Sequence, residues 1–290
     1  MNNRSAPKVV AVGGGHGLAM TLRAASRYAG KVTGVVATSD DGGSSGRLRT
    51  LLGIIPPGDL RKCLVALADP ASSFTRAFEY RFATGELSGH ALGNLILAAL
   101  VETSGSTLDA VDTAARLLGA TGRVIPASTT PVTLCAEGAH GVVKGQVAVN
   151  ATKEIRRIFL DPENAVAPAE ALSSLLDADQ ILIGPGSLFT SVLAALVVPA
   201  VNEAFNEATG QKVYIANLHP QVGETQDYDV ADHVRALQRH KVSVDVVVCD
   251  TASIPLGELD LPYVDRRLAK PNGLAHDFTA LASVLVDLIS

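Results

Sequence analysis

Short apolar runs alternate with Ala- and Leu-rich stretches along this chain. Lys8–Val12 and Lys31–Ala37 are rich in β-branched residues and almost unbroken in hydrophobicity. Asp179–Ile183, Lys212–Ala216 and Val244–Val248 repeat the pattern. Near-continuous runs of this length predict parallel strands covered on both faces. The intervening spacing predicts helices over about Leu18–Tyr28, Leu188–Leu196, Val201–Ala208, Val230–His240 and His276–Leu288. Together these elements predict an α/β fold: a Rossmann-like, doubly wound, mostly parallel sheet.

The middle of the chain departs from this rhythm. Residues 59–118 hold helical stretches, including Ala91–Val101 and Leu108–Leu118, and no good strand. Arg123–Pro126, Val132–Ala136 and Val142–Val149 then read as shorter strands. A turn at Gly138-Ala139-His140-Gly141 would join the last two as a hairpin. The expectation is one Rossmann-like domain over 1–290, with a helical and β-hairpin insertion at about 59–150. No Pro-rich or Ser/Gly-rich linker and no internal repeat divides it.

Composition narrows the function classes. The 290 residues are 47% hydrophobic and 18% charged, which excludes a disordered chain. The net charge is −5, without a basic stripe, so no nucleic-acid partner is expected. No apolar run reaches the ~18 residues that a membrane helix needs, and the polar start MNNRSAPK lacks a secretory apolar segment. Cys63, Cys135 and Cys249 are odd in number and form no CxxC, which suits reduced, buried thiols in the cytoplasm.

Candidate chemistry concentrates where glycine does. Of 26 glycines, 11 lie within residues 13–58. Gly13, Gly14, Gly15, His16 and Gly17 follow the first strand and open the first helix. Glycine there admits a ligand close to the backbone, and a helix start offers unpaired N–H groups to an anion. The dinucleotide fingerprint is not met, because Leu18 stands where G-x-G-x-x-G requires glycine. His16 reads equally as a phosphate or sugar ligand and as a solvent-facing residue.

Asp40, Asp41, Gly43, Ser44, Ser45 and Arg47 follow the second strand, at the carboxyl edge where open α/β sheets bind ligands. Adjacent carboxylates suit ribose hydroxyls or Mg²⁺, and Arg47 suits a phosphate. Asp59, after Pro56-Pro57-Gly58, reads as an N-cap or a ligand group. His90 and Asn94, spaced i,i+4, would share a helix face as a pocket lining or a satisfied core pair. Gly186, Ser187, Leu188 and Thr190 form another anion-ready helix start, with Ser187 as its cap. Asn217 and Tyr228 fall in and just after a polar stretch at a further strand end.

The ordered motifs GGGHGL, SDDGGSSGRLR, PPGDLRKC, GHALGNL, GPGSLFTS and NLHPQVGET resemble the gluconeogenesis factor family, relatives of the CofD-type 2-phospho-lactate transferases. The similarity runs from about Val9 to about His233, and more weakly beyond. It implies a Rossmann-like fold that binds a nucleotide diphosphate sugar, notably UDP-N-acetylglucosamine. It also implies a cytoplasmic regulator linking carbon metabolism to cell-wall synthesis and cell shape, with a cell-wall-regulatory protein partner and self-association as candidates. The transferase branch implies Mg²⁺ on Asp40 and Asp41 and transfer of a phospho-lactate-type group. An NAD-dependent oxidoreductase is the weaker third reading. His16 stands where the family commonly has Thr, and Pro220 and Val222 replace the Thr and Pro of its TQPGET motif.

Overall fold

The computed structural model describes residues 6–139 and 141–289. Ten strands form among them. They are β1 (Lys8–Gly13), β2 (Lys31–Val36), β3 (Arg123–Pro126), β4 (Thr133–Gly138), β5 (Gly141–Lys144), β6 (Arg157–Asp161), β7 (Gln180–Ile183), β8 (Gln211–Ile215), β9 (Val246–Cys249) and β10 (Tyr263–Asp265). Seven build one sheet in the order β10-β9-β8-β7-β1-β2-β3, and β5-β4-β6 form a second. Every pairing in the large sheet is parallel. The small sheet is antiparallel.

Alternation along β1 shows why the runs are continuous. Val10 and Val12 join one hydrophobic cluster, while Val9 and Ala11 join the cluster on the opposite face. Both faces are therefore packed under helices, as parallel sheets require. Strand order runs β1-β2-β3 to one side of the sheet and β7-β8-β9-β10 to the other. Neighbouring β1 and β7 thus flank the point where the order reverses, and a crevice opens at their carboxyl ends.

Two expectations need correction. Arg123–Pro126 belongs to the large sheet, paired with β2 from Thr33↔Arg123 to Val36↔Pro126, and interrupts the expected insertion. Val124 and Ile125 are both fully buried, so this strand carries the two-sided cover of its parallel neighbours. Val142–Val149 is not one strand: at Gly145 the backbone turns through φ +99, and Gln146–Asn150 is helical. The hairpin itself is present, although His140 in its turn lies outside the described residues, as do Met1–Ser5 and Ser290. The sequence reading also passed over β6 and β10. The first carries charge at both ends, and the second is three residues long at a sheet edge.

The three cysteines are free and buried. Among the described residues, no single helix is long and apolar enough to cross a membrane. The helix Pro199–Glu207 packs Phe205, fully buried, into the larger cluster. Truncation of a buried Phe costs about 3–5 kcal/mol through lost transfer energy and the cavity left behind. Phe205→Ala is therefore expected to lower the unfolding free energy by about that amount, read from the midpoint of denaturant unfolding at unchanged slope.

Candidate functional site

The first loop holds the centre of the crevice. Gly14 precedes the helix Gly15–Ala25 in extended backbone, and no side chain caps that helix. Its first-turn N–H groups are left for a ligand or water. Gly15 adopts φ +65, a conformation costly to residues with a Cβ. Gly17 packs so closely on the next loop that a Cβ would run into the Pro185 carbonyl. A Cβ at Gly14 would meet Asp59 Oδ2 at 2.8 Å and the Cβ atoms of Ala37 and Ser191 at 3.5 Å. Loops after β1, β2 and β7, with the start of the helix Gly58–Ala66, therefore meet at one residue.

Asp59 sits in the first turn of that helix, and Pro57 occupies the N-cap position instead. Its carboxylate is buried and accepts from Lys62 Nζ at 2.9 Å through Oδ1. Asp40 lies beside it, accepting from Gly42 N at 3.0 Å. Burial, and then the like charge of Asp59, push the Asp40 carboxyl above the ordinary carboxylate range. Asp41 turns elsewhere: its Oδ1 accepts from Val147 N at 3.0 Å and holds the helix after the hairpin. The structure thus pairs Asp40 with Asp59 rather than with Asp41.

The second motif is helical from Gly43 to Leu52. Ser44 is buried and receives Asn94 Nδ2 at 3.0 Å, while its hydroxyl lies 3.0 Å from His90 Nδ1. Ser44 thus links Asn94 and His90 through one hydroxyl. Asn94 Oδ1 in turn accepts from Arg61 Nε at 3.1 Å. His90 precedes its helix, Leu92–Ser104, so the shared helix face was the wrong geometry, although both side chains do reach one hydroxyl. Burial lowers the His90 pKa, and Arg47 and Arg81 add to the effect.

Arg47 is engaged with a different loop. Its Nη2 donates to the Ser88 carbonyl at 2.7 Å, and it lines an open cavity of about 540 Å³ with Asp41, Gly43, Gly46, Thr50 and Leu51. The cations near the first loop are Lys62 and Arg61. They act on His16 after burial, and all three effects lower its pKa. His16 lies where two cavities of about 310 Å³ adjoin, one reaching Asn217, Gln221 and His276, the other Arg23, Arg61, Lys62 and Lys270.

The helix start after β7 is already occupied. Gly186 N donates to Asn217 Oδ1 at 2.8 Å, and Asn217 Nδ2 returns a bond to Gly186 O at 2.9 Å. Ser187 occupies the N-cap position but makes no side-chain cap bond; its hydroxyl accepts from Gln221 Nε2 at 2.9 Å. Glu224 takes the Thr190 N–H at 3.2 Å and the Phe189 N–H as well. Leu188–Val192 is a π-helical turn that continues as Leu193–Leu196. Tyr228 supports this turn from outside the crevice, its ring edge-on to Phe189 and His233. Sequence reasoning missed Glu224 and Ser191. Glu224 lay inside the quoted NLHPQVGET, and its buried position gave no signal there.

Among the described residues, no group of three His, Cys, Asp or Glu side chains gathers to hold a metal ion. Mg²⁺ often rests on one or two carboxylates and completes its shell with ligand phosphates and water. Asp40 and Asp59 fit that mode, since a cation would relieve the repulsion between them. They would hold Mg²⁺, which would neutralise charge on a bound phosphate.

An open-sheet α/β protein with an anion-ready helix start at the strand-order reversal is the class that fold and site define. The chain belongs to the CofD family, described as 2-phospho-L-lactate transferase CofD, which matches residues 9–289. Within it, the chain is similar to proteins named gluconeogenesis factor. It is 39% identical to the one from Listeria innocua, over 88% of this chain and 81% of that protein. It is 38% identical to the Bacillus subtilis protein over 98% of each. It is 42% identical to a putative gluconeogenesis factor of Nostoc sp., of which it spans about half, 51%. A Bacillus halodurans crystal structure superposes with a TM-score of 0.92 at 34% identity, covering 98% of this chain and all of that one.

An acid held above its ordinary pKa favours folding most at low pH, and that contribution fades as pH rises through the shifted value. Asp40→Asn is accordingly expected to flatten the loss of stability between acid and neutral pH. It should leave the protein at least as stable as the parent at pH 7 in thermal unfolding.

Proposed function

We propose that the chain binds UDP-N-acetylglucosamine, with the diphosphate against the N–H groups of Gly14–Gly17, and acts as a regulator rather than through turnover. The observation that carries this reading is the uncapped helix start between β1 and β7, with Lys62 and the Asp40–Asp59 pair beside it. The flanking cavities give a nucleoside and a sugar room on either side of His16. Gln221 Oε1, buried and without a partner among the described residues, is an acceptor available to a ligand hydroxyl. Relatives named gluconeogenesis factor support a regulatory role in carbon metabolism. The regulator would act in the cytoplasm, through a cell-wall-regulatory partner and self-association, on cell-wall synthesis and cell shape.

A second reading, a Mg²⁺-dependent transferase of a phospho-lactate-type group, draws on the family match and on the carboxylate pair. Asp40 and Asp59 would then orient the cation-bound phosphate, and Lys62 would offset its charge. Calorimetry with UDP-N-acetylglucosamine, UDP, GTP and NAD, with and without Mg²⁺, separates the two readings.

Saturation at a hundred times the dissociation constant adds about 2.7 kcal/mol to stability. A thermal shift with UDP-N-acetylglucosamine exceeding that with NAD is expected. Gly14→Val should abolish it, because its side chain would press on Asp59 and Ser191 and push the crevice walls apart, while the extended backbone tolerates it. Arg47→Ala should leave the shift nearly intact. Equal shifts for parent and Gly14→Val would refute the phosphate position, and Mg²⁺-dependent transfer of a phospho-lactate-type group to an alcohol acceptor would favour the transferase.

A further inference from the structure

Glu224 is 1% exposed, yet no ion pair reaches it among the described residues. What surrounds its carboxylate is a set of donors from one turn: the Phe189 and Thr190 N–H groups and the hydroxyls of Thr190 and Ser187. That is the arrangement an external anion would find at a helix start. Here the chain supplies the anion itself.

The loop that carries Glu224 grips the same turn twice more, through Asn217 on Gly186 and Gln221 on Ser187. Gln146, from the helix after the hairpin, adds a bond to the Thr190 carbonyl at 3.0 Å. The turn is one wall of the crevice. Ser191, next to Thr190, lies against Gly14 and Gly15, and Pro185 lies against Gly17. One residue's breadth of protein separates the built-in charge from the first-loop helix start.

We infer that Glu224 is a positioning residue that fixes this wall, and that an anion bound against Gly14–Gly17 drives a proton from solvent onto its carboxyl. The second half rests on the proposed ligand. The first does not. Repulsion across Ser191 disfavours two negative charges in low-dielectric surroundings, and the protonated acid can still accept the two N–H bonds through its carbonyl oxygen. The titratable groups on adjoining elements are Asp227 on its own loop, His233 on the helix Val230–Arg239, and Asp59 with Lys62 across the first loop. Of these, His233 Nδ1 lies against the Asp229 carbonyl, and Asp59 pairs with Lys62. Burial, opposed by the four donors, already lifts the Glu224 carboxyl to about 7, so little further change moves its proton at neutral pH.

The test starts without ligand. In the wild-type chain with ¹³C-labelled glutamate carboxyls, the Glu224 resonance should titrate near pH 7. A midpoint near the ordinary 4.3 overturns the assignment. Stability measured from pH 5 to pH 8 should fall more for the parent than for Glu224→Gln, which mimics the protonated acid. Parallel profiles overturn it as well. Amide exchange at Phe189 and Thr190 should quicken at least tenfold in Glu224→Ala and stay near parental in Glu224→Gln. Then UDP-N-acetylglucosamine is titrated at pH 7.5 in two buffers of different ionisation enthalpy. Proton uptake by the parent, absent from Glu224→Gln, supports the coupling, and equal uptake by both removes it. Absence of binding to either protein counts against the proposed ligand and the coupling, while the ligand-free measurements still decide the positioning role.

Discussion

The close approach of Gly17 to the Pro185 carbonyl is the contact on which the crevice depends. Parallel strands on either side of the order reversal diverge into helices on opposite faces, which opens a gap between β1 and β7. Backbone against backbone closes the floor of that gap, because Gly17 has no Cβ to hold the loops apart. Gly14 lets the side chains of Ala37, Asp59 and Ser191 close in on the same loop. With the loops drawn this tight, the uncapped start of the first helix leaves main-chain N–H groups facing the crevice. The glycine richness of residues 13–17 follows from two demands at once, close loop contact at Gly14 and Gly17 and positive φ at Gly13 and Gly15.

Electrostatics then sets what can occupy the gap. The crevice holds Asp40 and Asp59 as well as Lys62, inside a chain of net charge −5. Carboxylates buried without matching cations resist ionisation, and Asp40 and Glu224 do so for different reasons. For Asp40, burial is joined by the like charge of Asp59. For Glu224, burial acts alone against four hydrogen-bond donors. A diphosphate entering such a site needs its charge balanced by fixed dipoles, by Lys62, and by whatever proton or cation the carboxylates take up. Stability given up in holding Asp40 and Asp59 together is of the kind that functional sites commonly retain.

The sheet was legible because its strands are buried on both faces and so announce themselves as unbroken apolar runs. β1, β2, β7, β8 and β9 all carry that signature. β3 carried it too, but four residues beside a hairpin gave too little length to assign it to the large sheet. β6, with charge at its ends, reads like a surface segment. Within the site, motifs located the loops, since Gly, Asp and Ser cluster wherever backbone must bend or offer donors. What the sequence could not show was direction. Arg47 and Asp41 belong to the right motif, yet they point to Ser88 and Val147. Of the two readings open for Asp59, cap or ligand group, the structure removes the cap, and at Ser187 the N–H groups expected to meet its hydroxyl go to Glu224, 37 positions later. Long-range partners leave no local trace in a single chain.

Whether such a site regulates or catalyses depends on when its interactions strengthen. Helix N–H groups laid along a diphosphate bind the resting ligand as well as any reacting form of it. Binding of that uniform kind lowers the dissociation constant without lowering a chemical barrier. The carboxylate pair differs, because a cation held there would gain most from charge that develops on a phosphate oxygen during transfer. Both elements are present in this chain. The first is made of backbone, and a Cβ at Gly14 or Gly17 would run into its neighbours. The second is made of two side chains that cost stability while they stand together. In a regulator without Mg²⁺ that cost would have no return, so the pair gives a physical reason to look for a cation in the bound state of either kind of protein.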